Sequence, residues 1–366
     1  MQLKAKGIYA MILCIFVFAA CAPRNVQQPA PTPTAPPMNQ PSPMPGTDGA
    51  QDMMEYFIYT ANEDDASVSV INVATMQVSA SVPVGQSPHN IQVTPDGMFA
   101  FVVENKDNTI SAIDTASNKI VKTISVGEGP NHVIFSPDSK LAYVTVAEMA
   151  ESAGTTTGEH GMAGENKPGN VYVVDIAAGS TTAKIPVGLM PHGLRMSPDG
   201  KYIYTADTES DQISVIDVST NKVTKTIKVG SKPVQVGVTP DNKYVFITLS
   251  GEDKVTVIDL STLAVTKTIA VGMSPIQLYT TPDSKLVYVA NTGSDDVSVI
   301  DTASMRVTKT IIAGDKAHGV VVSKDGKTAF VTNTGSNNVT VIDIASNNVI
   351  GTIPVGKGPN GISIKD

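Results

Sequence analysis

Residues 274–314 decide the fold, and they read SPIQLYTTPDSKLVYVANTGSDDVSVIDTASMRVTKTIIAG. Apolar and β-branched residues alternate with polar ones in four short runs, separated by Pro-Asp, Gly-Ser-Asp and Asp-Thr-Ala-Ser turns. Such alternation is typical of short strands with one buried face, and no run has a helical period. The stretch therefore predicts four consecutive strands of one small sheet.

The same pattern recurs along the chain and is marked by a glycine that follows Val or Ala. This glycine falls at positions 85, 127, 188, 230, 272, 314 and 356. Five of the six spacings are 42 residues, and the spacing from 127 to 188 is longer by 19. Four strands in about 42 residues is the period of a β-propeller blade. The sequence therefore predicts an all-β, seven-bladed β-propeller with four-stranded blades.

The two ends of the repeat region indicate how the ring closes. The chain ends in GISIKD, which matches only the first strand of a repeat, whereas residues 55–85 form a repeat that lacks its first strand. We therefore predict that the C-terminal strand completes the first blade by pairing with the N-terminal strands. The propeller would cover residues 54–366, with an insertion at about 147–169 in the third blade.

The N-terminal segment has the pattern of a targeting signal. Lys4 and Lys6 precede an apolar run that ends in FAAC, residues 18–21, which resembles the lipobox of bacterial lipoproteins. We expect residues 1–20 to be a signal peptide, Cys21 to be lipidated, and the Pro-rich residues 21–53 to be a tether. Ala22 after that cysteine favours sorting to an outer membrane, with the protein facing the periplasm or the cell surface.

Composition limits the function classes. The formal net charge is −8, which disfavours nucleic-acid binding, so the expected partners are the membrane, through the lipid, and a protein or small ligand. The chain has only two cysteines, Cys14 and Cys21. If Cys14 is removed with the signal and Cys21 is lipidated, the mature chain has no thiol for a disulfide, a thiolate metal site or a nucleophile. With aromatic residues at 5%, we expect a core of Val, Ile and Ala.

The second strands of the repeats carry a family resemblance. Tyr288-Val289-Ala290-Asn291, Phe330-Val331-Thr332-Asn333 and Tyr59-Thr60-Ala61-Asn62 resemble the YVTN-type propeller repeat. That family includes bacterial envelope propellers and archaeal surface-layer proteins and is distantly similar to the haem d1 domain of nitrite reductases. The resemblance implies the fold across the mature domain, but its members have many functions.

The aspartates and the histidines differ in how often they recur. An Asp closes the third strand of nearly every repeat, which favours a structural role in the turn. His89, His192 and His318 each follow the repeat glycine by four residues, whereas His132 follows it by five. We expect these four histidines at one mouth of the central channel, with the side chain of His132 directed to the other side of its strand. The insertion, on the same face, adds His160 and Met162 as a candidate lid.

Three interpretations of this histidine-bearing face remain open. The histidines could be polar residues that line a hydrated channel, ligands of copper or zinc, or a site for haem or another organic ligand. The sequence has no C-x-x-C-H motif, which excludes covalent c-type haem. It also lacks the Gly-x-Ser-x-Gly, phosphate-loop and His-Glu-x-x-His motifs, so binding is favoured over catalysis, although lactonases and lyases occur among seven-bladed propellers.

Overall fold

The computed structural model describes residues 56–148 and 167–365, which form 28 β-strands and one 3₁₀ turn (Thr208–Ser210). Within these ranges no helix has the length and apolar character needed to cross a membrane. In chain order the strands are β1 (Phe57–Asn62), β2 (Ser67–Asn72), β3 (Gln77–Pro83), β4 (Pro88–Val93), β5 (Phe99–Glu104), β6 (Thr109–Asp114), β7 (Lys119–Ser125), β8 (Pro130–Phe135), β9 (Leu141–Val146), β10 (Pro168–Asp175), β11 (Ser180–Leu189), β12 (Pro191–Met196), β13 (Tyr202–Asp207), β14 (Gln212–Asp217), β15 (Lys222–Lys228), β16 (Pro233–Val238), β17 (Tyr244–Leu249), β18 (Lys254–Asp259), β19 (Ala264–Ala270), β20 (Pro275–Thr280), β21 (Leu286–Asn291), β22 (Asp296–Asp301), β23 (Arg306–Ile312), β24 (Ala317–Val322), β25 (Thr328–Asn333), β26 (Asn338–Asp343), β27 (Asn348–Pro354) and β28 (Pro359–Lys365).

These strands form seven antiparallel four-stranded sheets, and each sheet is one blade of the predicted propeller. Blade 1 has the strand order β28-β1-β2-β3, and blades 2 to 7 are β4–β7, β8–β11, β12–β15, β16–β19, β20–β23 and β24–β27. In blade 1 Lys365 pairs with Phe57 and Ile362 with Thr60, so the C-terminal strand closes the ring on the N-terminal strands. The predicted fold class and its closure are thus confirmed. Because the ring closes within residues 56–365, the propeller is a folding unit by itself.

The core lies between neighbouring blades and is built mainly from Val, Ile and Ala, as the composition predicts. At least one buried aromatic ring per blade adds to it, which the low aromatic content did not indicate. In every blade one such ring stands at the third position of the second strand: Tyr59, Phe101, Tyr143, Tyr204, Phe246, Tyr288 and Phe330. Each interface between neighbouring blades therefore contains one of these seven large side chains, which packs against the residues of the next blade.

The repeat glycine is explained by a close contact with the last residue of a second strand. Where the chain passes from blade 3 to blade 4, the backbone N–H of Gly188 donates to the buried carboxylate of Asp207 at 3.1 Å. This carboxylate also accepts hydrogen bonds from the hydroxyls of Ser214 and Thr205. A Cβ at Gly188 would lie 2.6 Å from the Cβ of Asp207, closer than real Cβ atoms approach. The glycine therefore allows the chain to pass over a buried polar residue as it enters the next blade.

All seven innermost strands contain a β-bulge near their first residue, located by the register shifts against the second strand. In blade 3, for example, Pro130 pairs with Val146 and Val133 with Val144, so the inner strand has one extra residue. A bulge interrupts the regular alternation of side chains between the two faces of a strand. The histidines of the channel mouth lie at these bulges.

Candidate metal centre

Three histidines from consecutive blades converge at one mouth of the central channel. His89 on β4, His132 on β8 and His192 on β12 each offer a ring nitrogen, and these three atoms lie within 4.8 Å of one another. The ring centroids are 4.8–5.9 Å apart. In the part of the chain that the structure describes, no other cluster of His, Cys, Asp or Glu meets this geometry.

The expectation that His132 faces away from the other histidines is wrong, and the bulge is the reason. Its backbone N–H donates to the Oγ1 of Thr145 at 3.0 Å, instead of continuing the regular ladder with β9. The same hydroxyl donates to the carbonyl of His192 at 2.6 Å, which ties the inner strands of blades 3 and 4 together. The extra residue turns the His132 ring toward the axis, where it packs against the ring of His192.

His318 occupies the equivalent position on β24 but lies outside the trio. Blades 5 and 6 place Val234 and Ile276 at this position, so the expected ring of histidines is interrupted on one side. The Nδ1 of His318 is buried and has no hydrogen-bond partner among the described residues. The structure therefore assembles three of the four predicted histidines and leaves the fourth beside them.

Hydrogen bonding fixes the tautomer of His192. Its Nδ1 lies 3.2 Å from the carbonyl oxygen of Val234, which can only accept, so Nδ1 carries the proton. In the neutral ring the lone pair is then on Nε2, which lies 3.3 Å from the Nε2 of His89. The Nε2 of His132 is also buried and has no hydrogen-bond partner within the described ranges. Because the amide of Asn360 donates to the Nδ1 of His89 at 3.1 Å, the Nε2 of the neutral His89 ring carries a proton and donates it to the Nε2 of His192. A metal ion at this point would replace that proton.

Glu63 and Asn360 lie behind His89, and the sequence did not indicate either of them. The Nδ1 of His89 is 3.8 Å from the Oε2 of Glu63 and 3.1 Å from the Nδ2 of Asn360. The charge of a protonated His89 ring, together with hydrogen bonds donated by Ser87 and Asn360, lowers the pKa of Glu63 to about 2, although burial acts in the opposite direction. An ionised carboxylate behind a histidine is a common arrangement in metal sites, where it orients the ring and increases its basicity.

The surroundings of His132, His192 and His318 favour neutral rings. Burial, followed by the charge of His89, lowers the pKa of His192 to about 3, and burial likewise lowers the pKa of His132 well below 6.5. For His318, burial and then the charge of His89 lower the pKa to about 3. Metal ligands must be deprotonated, so these rings are already in the form that binds a cation.

Several predicted features fall outside the described residues: the signal peptide, Cys21, the tether, and His160 and Met162 of the insertion. The strands that flank the insertion are described. Strand β9 ends at Val146, which pairs with Pro130, two residues before His132. The insertion therefore leaves and rejoins the propeller on the face that bears the histidines.

Comparison with known proteins identifies the family. A family model described as "Lactonase, 7-bladed beta-propeller" matches residues 52–262, more than half of the chain. The chain belongs to this propeller family. A second model, described as "YNCE-like beta-propeller", matches residues 242–318 of this family member. None of the curated proteins matches its sequence.

Two solved structures resemble this propeller. Hydrazine synthase of Kuenenia stuttgartiensis aligns with a TM-score of 0.63 and 22% identity, over 75% of this chain and 89% of that one. A functionally unknown protein from Desulfotomaculum acetoxidans aligns with a TM-score of 0.70 and 17% identity, over 84% of this chain and 98% of that one. At these identities the likeness concerns the fold alone.

Proposed function

We propose that this protein is an envelope-anchored lipoprotein whose propeller binds one copper or zinc ion through His89, His132 and His192. The observation that carries the proposal is the convergence of three imidazole nitrogens, from three blades, to within 4.8 Å of one another. Two further features support it: the Nε2 of His132 lacks a partner among the described residues, and an ionised Glu63 stands behind His89. A hydrated polar channel would account for polar residues at the axis but does not call for this convergence.

The donor set favours copper or zinc over other ions. Neutral imidazole suits both metals, whereas Mg²⁺ and Ca²⁺ prefer oxygen ligands. In a tetrahedral site with metal–nitrogen distances of about 2.0–2.1 Å, two ligand nitrogens lie about 3.3–3.4 Å apart. The two Nε2 atoms of His89 and His192 are 3.3 Å apart. Three nitrogens so close together are better suited to share one ion than to provide one axial ligand of a haem.

Elemental analysis of the purified propeller tests the proposal. We expect residues 53–366, made without an affinity His-tag and incubated with Zn²⁺ or Cu²⁺, to retain one ion per chain after desalting. A variant with H89N, H132Q and H192N should retain none. These replacements suit the fold, because Asn360 stands at the His89 position in another blade, and Gln235 and Gln277 stand at the His132 position.

Equal metal content in the wild type and the triple variant would refute the site, as would failure of both to take up either ion. The second outcome would leave a propeller that acts as a scaffold for a protein partner at other surfaces. Comparison of the melting temperatures of the two metal-free proteins serves as the control for folding. We expect them to agree within a few degrees.

The anchor is a separate part of the proposal, supported by the lipobox-like FAAC and the Pro-rich segment that follows it. We expect metabolic labelling with a radioactive fatty acid to modify the wild type and to fail with C21S, which should no longer pellet with membranes. A C21S protein that still pellets with membranes would contradict lipid anchoring at this residue. We also propose that the repeats are of the YVTN type, on the basis of the second-strand residues quoted above.

Hydrolysis of a lactone is a second candidate function. The description of the matching family model favours it, and His89 is 17% exposed, so a substrate could approach the trio from the solvent side. Simple γ- and δ-lactones, followed with a pH indicator, provide the assay for the metal-loaded protein. Turnover no faster than with the triple histidine variant would exclude this activity for those substrates.

A further inference from the structure

The mouth of the channel opposite the histidines is a funnel of about 470 Å³. It is lined by the far ends of inner strands, among them Arg195, Thr280 and Val322, and by prolines of the Pro-Asp turns. Strand β12 spans the channel: His192 is its second residue and Arg195 its fifth, a distance of about 10 Å at the usual strand rise. The funnel and the candidate metal centre therefore lie at the two ends of one strand, and a small cavity lined by both Arg195 and His132 lies between them.

The funnel is positively charged within an acidic protein. Arg195 and Lys324 line it, whereas no Asp or Glu does. Across residues 56–148 and 167–365, neither cation forms an ion pair, although eight ion pairs occur elsewhere in these ranges. A half-buried arginine without a carboxylate leaves its hydrogen-bonding edge available to an external anion.

Arg195 is held in place by an aromatic ring. Its Cζ lies 5.4 Å from the centroid of the Tyr279 ring, a distance typical of cation–π contact. Such a contact restrains the guanidinium, and its N–H donors make no hydrogen bond or ion pair within the described ranges, so they remain available. The guanidinium is thus oriented in advance for bidentate binding of a planar anion.

A second donor lies deeper in the channel. Behind the funnel is a smaller cavity of about 80 Å³, and Arg195, Tyr279 and Ile364 line both spaces. Gln277 also lines this cavity; its side chain is 5% exposed, and its Nε2 has no hydrogen-bond partner in the described part of the chain. An unpartnered buried amide donor beside an unpaired arginine is costly unless an acceptor binds there.

We propose that this funnel is a binding site for an organic carboxylate with an apolar body. The carboxylate would accept hydrogen bonds from Arg195 and from the amide of Gln277, and Lys324 at the rim would add attraction. The apolar body would pack on Val238, Leu278 and Ile364, which give the funnel its hydrophobic wall. A free phosphate would match the cations but not this wall, and a volume of about 470 Å³ lies in the range of small-molecule sites.

Calorimetric titration of the propeller with 4-phenylbutyrate tests the site, with 4-phenylbutanol and inorganic phosphate as matched probes. We expect the carboxylate to bind at least about 10-fold more tightly than either, because charge-assisted hydrogen bonds and apolar contact act together. R195Q should weaken binding about 10- to 100-fold. The control is R306Q, which removes the other arginine of the described residues from an exposed strand and should change nothing.

A second variant keeps the test valid if R195Q does not fold. Lys324 is exposed, so K324E should fold normally, and it should weaken phenylbutyrate binding about fivefold or more by reversing the charge at the rim. H89N/H192N should leave this affinity unchanged, which separates the funnel from the metal centre. Absence of phenylbutyrate binding, equal binding of the alcohol, or equal binding of phosphate would each overturn the proposal, as would full affinity in both charge variants.

Discussion

Replacing His132 by Gln raises the Kd for Zn²⁺ or Cu²⁺ by about 10²- to 10³-fold, if the trio is the metal site, because one of three protein ligands is lost. H192N should have an effect of the same size. The matched control is H318N, which removes a histidine from the equivalent strand position of blade 7, outside the trio, and should change the Kd less than about threefold. Competition with a chromophoric chelator at pH 7.4 measures all four proteins under one set of conditions.

Replacing Glu63 by Gln should raise the Kd for the metal ion by an intermediate amount. The carboxylate of Glu63 lies 3.8 Å from the Nδ1 of His89 and contacts no other member of the trio, so E63Q removes a positioning group and no ligand. Loss of such a group costs about 10- to 100-fold in affinity. For the proposed centre, the increase in Kd should therefore be largest for H132Q, intermediate for E63Q and smallest for H318N. If H318N raised the Kd as much as H132Q does, the result would indicate four protein ligands. If all the proteins had the same Kd, the proposed metal site would be refuted.

The fold could be predicted from the sequence because its determinants are local and repeated seven times. Each blade has its own turn residues, its own alternating strands and its own glycine packed against the end of a second strand, as Gly188 packs against Asp207. The closure was also visible, because Ile362 and its neighbours had no partner within their own repeat. The same pattern occurs in all seven repeats, so an ambiguous strand in one repeat does not change the predicted fold.

The site could be predicted only in part. The repeat register placed the histidines at one mouth, but strict alternation of side chains directed His132 away from the others. The bulge in β8 overrides that alternation, and a bulge is a backbone feature that one sequence does not announce. Glu63 was missed for another reason: it follows β1 in the N-terminal part of blade 1 and reaches His89 only because blades 1 and 2 are neighbours in the ring.

The metal-free propeller should lose stability as the pH falls below 6.5, before most of its carboxylates are protonated. His192 and His318 have pKa values of about 3 in the folded protein, and His132 one well below 6.5, whereas in the unfolded chain all three titrate near 6.5. Between these limits the unfolded chain binds protons that the folded protein excludes. The free energy of unfolding therefore falls by about 1.4 kcal/mol per pH unit for each excluded proton, a loss of about 2–3 kcal/mol by pH 4.5 for each of His192 and His318.

Urea denaturation of the chelator-treated propeller at several pH values between 7 and 4.5 measures this effect. Most carboxylates contribute little in that window, because hydrogen bonds lower the pKa of groups such as Asp114 and Asp301 further below their usual 3.8. Asp207 is an exception, because burial raises its pKa, and it opposes the effect of the histidines. A variant with H132Q, H192N and H318N should have a much flatter profile and should be more stable than the wild type at pH 4.5. Parallel profiles would mean that the folded protein protonates these rings readily. A bound metal ion would compete with protons for the same histidine rings, since it binds and stabilises only the neutral rings of the folded state.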